Sequence, residues 1–491
     1  MASHLSALGH DVEILSVPGE DWENQRIISH AGDPGEEIES YNRLKREAME
    51  MAISGRAALE RMRPVTGDRY VYVGLPFERI LERVREINPD LIGISLIASC
   101  NHQSVIDLAT GLRSAGVDTP IVVGGQHPTA MPEQVLRDAN GAIDWVVRGE
   151  GEQILAAIAD APTNVNAIRL LPGICYLDDD NQFIKNKRPR FFDLSDITLP
   201  SSEILASIPM PRMPSYTLDT QGRRYTDIMF SVGCHNTCAY CYSPQMRGGL
   251  RKQSESTIHQ LLESLHTKGF RELVLQDDDL LSDRDGFLRL IAMIKEHGFH
   301  WQDNGGIELE LLDEPLIDAI ADSNCTGLYV PVNPRKIADR FPRPEALMKV
   351  GLLSHLRERG IYTYTSGIYG VPNLENPNKS LDEIRALRDF HFELVDKKFV
   401  EASLVFPLSA LPGTKWYFEI KRHPEFVFDD SNWLSYAIYV PQLWPKSVSR
   451  EEFEGELVEV HRQLNKVQTS YPWFSPLPNN SQVSHQRTKS L

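Results

Sequence analysis

Short runs of Val, Ile and Leu alternate with amphipathic stretches along two separate parts of this 491-residue chain, and few folds accommodate that pattern. In residues 1–160 the runs are "DVEILSV" (Asp11–Val17), "LIGISLI" (Leu91–Ile97), "IVVGG" (Ile121–Gly125) and the start of "IDWVVRGEGE" (Ile143–Glu152). The amphipathic "FERILERVREI" leads into the second run through Asn88-Pro89, a helix stop. Strands this apolar are covered on both faces, which predicts a parallel sheet with helices on each side. The expected domain is α/β and doubly wound (Rossmann-like), with ligands at the carboxyl ends of its strands. The opening "MASHLSALGH" reads as the end of a helix with no strand before it, so the domain is expected to lack its first strand. Helical periodicity between Ala31 and Val65 suits a segment covering the sheet or a ligand.

Residues 161–225 change character. "GICYLDDDNQFIKN" predicts a hairpin turning at "DDDN", and the proline-dense "LPSSEILASIPMPRMPS" reads as a linker. From 226 to 415 the alternation resumes, with strands expected at 227–233, 272–278, 305–310 ("GGIELE"), 327–332, 362–370 and 401–408. Helices are expected at Thr257–Lys268, Phe287–His297 and Pro344–Arg359, each stopping at a glycine. Six strand–helix units predict a partial (β/α)6 barrel of the triosephosphate-isomerase type, with its site at the carboxyl ends of the strands. Residues 416–491 form a C-terminal helical region whose polar tail after Ser470 is expected to be disordered.

Composition narrows the function classes. A charged share of 24% beside a hydrophobic share of 41% is that of a soluble globular protein. No apolar run reaches membrane-span length and the N-terminus lacks signal-peptide features, so the cytoplasm is the expected location. The net charge of −17 argues against a nucleic-acid substrate, while a local basic patch would still suit a small anionic one. Six cysteines are too few for a secreted disulfide framework. Cys100, Cys175 and Cys325 stand apart from one another and read as packing residues.

The other three cysteines fall together in "FSVGCHNTCAYCYSP", spaced Cys234-x-x-x-Cys238-x-x-Cys241 directly after an expected strand. Three thiolates on one short loop can hold three irons of a cubane and leave the fourth open to a chelating ligand. The competing reading is a structural zinc site that adds His235. Zinc motifs usually come as two pairs, no second pair exists, and His235 adjoins Cys234 too closely to complete the same tetrahedron.

With Tyr240 before its last cysteine, this loop resembles that of the radical S-adenosylmethionine superfamily. The resemblance implies that Cys234, Cys238 and Cys241 bind a 4Fe–4S cluster, with Tyr240 near the adenine of S-adenosylmethionine. It implies that Gln276, Asp277 and Asp278 of "LQDDD" are candidates to meet the amino group of that ligand, although a carboxylate-rich helix N-terminus would account for the acids equally well. "GIYGVP" (Gly367–Pro372) is similar to the glycine-containing strand that flanks the adenine, and "PLSALPGT" (Pro407–Thr414) to the last barrel strand and its turn. "VPVNPR" puts Asn333 where many relatives carry an acidic ribose contact. Tyr364, Tyr369 and Arg335 are candidates to face the cavity, with only weak support from strand alternation.

The front domain resembles the cobalamin-binding class of the same superfamily, through "LIGISLIAS", "VVGGQHP" and "VVRGEGE". That likeness implies that Ser95, Gly124, Gly125, Gln126 and His127 lie along the corrin or its nucleotide tail, Gly125 permitting close backbone approach. Glu150 and Glu152 are expected to brace the domain interface. No "DxHxxG" is present, so no lower-ligand histidine is implied. "ELVLQDDDLLSDRDGFLRLIAMIKEHG" and "LDEPLIDAIADS" place the chain nearest the phosphonate C-methylases of fosfomycin biosynthesis within that class. The activity implied is cobalamin-dependent methylation of an unactivated carbon of a small metabolite, a phosphonate among the options. A flavodoxin- or ferredoxin-type reductant is implied as partner, with neither nucleic acid nor membrane. The alternatives are a radical cyclase or rearrangement without methyl transfer, a front domain that serves only as scaffold, and a non-catalytic iron–sulfur module.

Overall fold

The apolar runs of the first region settle where successive side chains can be buried on opposite faces. The computed structural model describes residues 1–15, 25–29, 69–73, 75–188, 190–196, 200–207, 221–332, 349–371, 376, 380–436 and 441–467. After an antiparallel pair, β1 (Gln25–Ser29) with β2 (Arg69–Val73), comes the front sheet. Its spatial order is β3 (Ile92–Ser95), β4 (Ile121–Gly124), β5 (Trp145–Val147), β6 (Ile174–Leu177), β7 (Phe183–Lys185), the first three parallel and the last two antiparallel. Ile121, Val123, Val146 and Cys175 point into one core, shared with helices Phe77–Ile87, His102–Ser114 and Pro132–Ala139. Val122, Trp145, Val147 and Ile174 alternate to the other, against helix Glu152–Ala159. The domain is doubly wound, and the expected hairpin extends its sheet.

Two expectations fail at the edge of this sheet. Asp11–Leu15, the described part of the first expected run, lies outside any strand, and Ile14 is exposed. A lone strand lacks a neighbour to take its backbone hydrogen bonds, and β3 pairs on one side only among the described residues. Nor is β3 covered on both faces: Gly93 and Ser95 are exposed. Residues 31–65 and the tail after Ser470 lie outside the described residues, as does most of the expected linker, of which Ser202–Ser207 is a short helix.

The second region forms six parallel strands in sequential spatial order: β8 (Tyr225–Ile228), then, past the small pair β9 (Ser231–Val232) and β10 (Arg251–Lys252), β11 (Glu272–Leu275), β12 (His300–Asp303), β13 (Cys325–Tyr329), β14 (Tyr362–Tyr369) and β15 (Ala402–Pro407). The arc stays open between β15 and β8, as a partial barrel does. Leu273, Trp301, Leu328 and Val405 face the surrounding helices, while Tyr329, Tyr364, Leu404 and Phe406 face inward. Cys325 is buried in the outer core, and Cys100 is half-buried.

Helices Glu255–Thr267, Arg284–Glu296 and Gly351–Glu358 begin and end as their sequences dictate. Ser254 and Asp283 cap the first two by accepting N–H bonds from Thr257 and Gly286. Gly269, Gly298 and Gly360 follow the three helices at positive φ. The third strand is displaced from its expected place: "GGIELE" is a loop and a 3-10 turn (Leu309–Leu311), and the strand is the preceding "HWQD". Its polar letters hide it, because Gln302 points into the barrel and is held there by Glu272. No described helix is long and apolar enough to cross a membrane.

Candidate active site

The three clustered cysteines sit on an excursion that leaves the carboxyl end of β8 and is clamped at its base by β9 and β10. Gly233 (φ +88) makes the clamp possible, since a Cβ there would lie 2.4 Å from the carbonyl oxygen of Gly249. The Cys234 N–H then donates to Gly248 (3.1 Å), and the N–H groups of Asn236 and Ser243 point at the sulfurs of Cys234 (3.3 Å) and Cys241 (3.4 Å). Burial, with Asp279 alongside, pushes the Cys234 thiol up to about 12, and burial raises Cys241 as well. Both therefore keep their protons until a metal displaces them.

Three half-exposed thiols on one loop, with N–H donors aimed at two sulfurs, fit a cubane in which each thiolate takes its own iron. Among the described residues no three His, Cys, Asp or Glu side chains gather about a point that could hold a single metal ion. His235 is exposed. Tyr240, within the loop, is half-buried, its ring 5.5 Å from that of Trp416.

The acidic tripeptide after β11 braces this loop. Asp277, fully buried, accepts from the N–H of Phe230 (3.2 Å) and from both the N–H and hydroxyl of Ser231 (2.6 Å each). Burial nonetheless raises its carboxyl to about 6. Asp278 spans the two ends of the cysteine segment, accepting from the Gly233 N–H (2.9 Å), the Ser243 hydroxyl (2.7 Å) and Arg247 (3.1 Å). Asp279 accepts from the Cys234 thiol (3.5 Å), the His235 N–H (3.2 Å) and the Ser282 hydroxyl. Asp279 was not singled out by the sequence reading, although it belongs to the same motif.

Gln276 lies apart from this brace, on the wall of the barrel. Its amide donates to Asp227 of β8 (2.7 Å) and faces Asn304 after β12 (3.5 Å), which accepts from the Tyr364 hydroxyl (2.7 Å). The Tyr364 ring stacks on Tyr329 at 5.1 Å, completing a polar and aromatic wall across five strands. Burial raises the carboxyl of Asp227. Asp227, Asn304 and Tyr329 were missed, because their partners lie on other strands. Deeper in, Glu272 is fully buried and held by Arg223 (2.8 Å), Gln302 (2.6 Å) and Thr326 (3.1 Å).

Of the tyrosines expected in the cavity, Tyr364 faces it. Tyr369 sits one step out of phase and packs into the helical layer. Gly367 also faces that layer, where a Cβ would meet the His391 ring at 2.6 Å. Asn333 and Arg335 lie outside the described residues.

At the carboxyl edge of the front sheet, Ser95 is exposed, Gly124 and Gln126 are half-exposed, and Ile97 is 62% exposed. Small residues beside an uncovered apolar side chain at the ends of parallel strands fit a broad, flat ligand such as a corrin. Gly125 answers a tighter need than ligand approach. At φ +120, a Cβ there would lie 2.4 Å from the Leu96 carbonyl oxygen. His127 turns inward: its Nδ1 meets Ser99 (2.8 Å), its Nε2 meets His102 (2.9 Å), and His102 continues to Asp138 (2.9 Å). Burial and the neighbouring His102 lower His127 to about 3, so the ring is neutral with both nitrogens engaged. Trp433, from beyond the barrel, stacks on His102 at 4.9 Å. Glu150 forms a two-pronged ion pair with Arg251 of β10, and Glu152 opens the next helix.

Two family models match the chain: the B12 binding domain over residues 54–159 and the Radical SAM superfamily over residues 228–384. The cytidylyl-2-hydroxyethylphosphonate methyltransferase of Streptomyces wedmorensis is 27% identical, over 78% of this chain and 77% of its own length. The anaerobic magnesium-protoporphyrin IX monomethyl ester cyclase of Cereibacter sphaeroides is 24% identical, over 81% and 63%. In fold the chain is similar to the radical S-adenosylmethionine methyltransferase TsrM of Kitasatospora setae, with a TM-score of 0.57 and 16% identity over 79% of this chain and 80% of that one.

Proposed function

As a radical S-adenosylmethionine enzyme with a B12 binding domain ahead of its barrel, the chain belongs to the cobalamin-dependent class of that superfamily, and we propose that it methylates an unactivated carbon of a small metabolite. The observation that carries the reading is a meeting point at Gly413, in the turn after β15. A Cβ there would touch Tyr242, next to the last clustered cysteine, at 2.5 Å, and Ala130 of the front domain at 3.1 Å. The cysteine loop and the carboxyl edge of the front sheet thus share one seam. The likeness to a methyltransferase of cytidylyl-2-hydroxyethylphosphonate favours a phosphonate as substrate.

When bound, the reduced cluster supplies an electron for cleaving S-adenosylmethionine, and the corrinoid carries the methyl group. The chain's residues bind, orient and seal. Cys234, Cys238 and Cys241 hold the cluster, and the three aspartates fix the shape of their loop. Asp227, Gln276 and Asn304 offer donors and acceptors to a ligand in the barrel, with Tyr240 beside its aromatic part. Tyr329 and Tyr364 wall the cavity from water, and Glu150 with Arg251 holds the two domains in register. The reading divides the chain into a front domain at 1–160, a hairpin and linker at 161–225, the barrel at 226–415 and a C-terminal region at 416–491. It assigns the electron supply to a flavodoxin- or ferredoxin-type protein.

The test is anaerobic reconstitution with iron and sulfide, with and without cobalamin, followed by reduction in the presence of S-adenosylmethionine. 5′-Deoxyadenosine together with bound corrinoid is expected. Cys234→Ala, Cys238→Ala and Cys241→Ala should each lose cluster and product, and full cleavage in any of them refutes the ligand assignment. The likeness to the protoporphyrin ester cyclase favours a second reading, cyclisation without methyl transfer. Product mass separates the two, since only methylation adds a methyl group.

A further inference from the structure

Beside the domain seam lies a cavity of about 130 Å³ walled by Arg148, Glu150, Leu171, Arg188, Arg190 and Phe191. Three cations and one carboxylate face it, in a chain whose net charge is −17. That carboxylate is already taken, because Glu150 is paired with Arg251. Arg188 donates to the backbone carbonyls of Gln245 (2.8 Å) and Met246 (3.3 Å), and Arg148 reaches the carbonyl of Thr129 at 3.5 Å. Arg190 is exposed at the rim. Among the described residues no carboxylate forms an ion pair with any of the three.

The cavity is also shaped for this arrangement. Gly149 sits at φ +87, and a Cβ there would come within 3.2 Å of the Arg188 guanidinium. The absent side chain leaves the guanidinium its place. Burial lowers Arg188 from its usual value and nearby Arg148 adds to that, while Glu150 acts the other way without cancelling it. Cations gathered around a half-buried cavity are stabilised by an anion, and guanidinium forks match oxyanions in two-pronged fashion.

We propose that this cavity binds a phosphate- or phosphonate-type oxyanion through Arg148, Arg188 and Arg190. Its volume admits one such group and no corrin ring. The group has two chemical sources: the phosphodiester of cobalamin's nucleotide loop, which rests on the functional reading above, or a separate phosphorylated or phosphonate-bearing small molecule.

The experiment titrates inorganic phosphate by calorimetry, at low salt, into the full chain, Arg188→Gln and Arg190→Gln, with melting curves confirming the fold. Cobalamin and cobinamide, a corrinoid without the nucleotide loop, are titrated by absorbance into the same proteins. Phosphate should bind the parent and weaken by about tenfold or more in each variant. Cobalamin weakening in parallel, with cobinamide unchanged, identifies the nucleotide-loop phosphodiester as the occupant. Unchanged cobalamin beside lost phosphate binding identifies a separate oxyanion. Equal phosphate affinity in all three proteins, or none in the parent, overturns the proposal. A parent that binds phosphate but no corrinoid defeats the functional reading and leaves the cavity assignment standing. Arg190→Gln alters an exposed side chain, so it decides the matter should Arg188→Gln fail to fold.

Discussion

Replacing Asp278 separates two roles that the motif "LQDDD" allows, ligand contact and loop brace. The carboxylate accepts from the Gly233 N–H, the Ser243 hydroxyl and Arg247, and its side chain is only 13% exposed. Hydrogen bonds to a charged group contribute about 1.5–3 kcal/mol each. Ser243 and Arg247 are half-exposed and recover part of that from water, whereas the Gly233 N–H is buried. Asp278→Ala should therefore cost about 3–5 kcal/mol, one such bond in full and part of two others. For a domain of this size that lowers the melting temperature by roughly 6–20 °C. Both ends of the cysteine segment are released together, so iron and labile sulfide per chain after reconstitution should fall with it. Gln276→Ala serves as the contrast, because its side chain lies on the barrel wall. That variant should keep its cluster and bind S-adenosylmethionine more weakly, as read by equilibrium dialysis. An Asp278→Ala protein with full cluster content, an unchanged melting temperature and weakened S-adenosylmethionine binding would reverse the assignment.

Gly125→Ala places a Cβ against the Leu96 carbonyl at a backbone angle that disfavours side chains, and should destabilise the corrinoid-free protein by about 3 kcal/mol or more. A melting curve like the parent's, with only corrinoid affinity reduced, would restore Gly125 to a ligand-contact role. His127 supplies a pH test. Its folded value, about 3, lies below the ordinary 6.5, so its stabilising contribution is complete above pH 6.5. As pH falls through 6.5 the unfolded chain takes up a proton that the folded ring refuses, and stability drops by up to about 1.4 kcal/mol per pH unit. Urea unfolding of the parent and His127→Gln at pH 7.5 and 5.5 should show the gap between them narrowing by about 1 kcal/mol. A gap independent of pH would mean that the ring is not buried as a neutral group.

What was legible in the sequence was whatever a local pattern can encode. Apolar alternation located β4, β5, β11, β14 and β15, and glycine stops located the ends of three helices, because burial and φ > 0 each leave a residue-type signature. β12 left none: "HWQD" is a strand because Glu272, on the neighbouring strand, gives Gln302 a buried partner. The cysteine spacing announced the loop, yet no local signal distinguished three aspartates reaching a ligand from three aspartates holding Ser231, Gly233 and Cys234. Those partners lie more than 40 residues away. Tyr364 and Tyr369 show the same limit. Alternation assigns them to opposite faces, and only the helix layer against Tyr369 says which face is inside.

The front domain's hold on the barrel falls at a telling place. Arg251, which pairs with Glu150, lies in β10, and β10 with β9 clamps the base of the cysteine loop. Arg188, from the segment after the front hairpin, holds the helix that follows the last clustered cysteine through the carbonyls of Gln245 and Met246. Trp433, reached only after the barrel is complete, roofs the buried His102–His127 pair at the carboxyl edge of the front sheet. Each contact joins an element of one proposed cofactor site to an element of the other proposed domain. The cluster loop therefore takes its position from both domains at once, and a change that loosens the seam should be felt in the cluster as well as in the corrinoid.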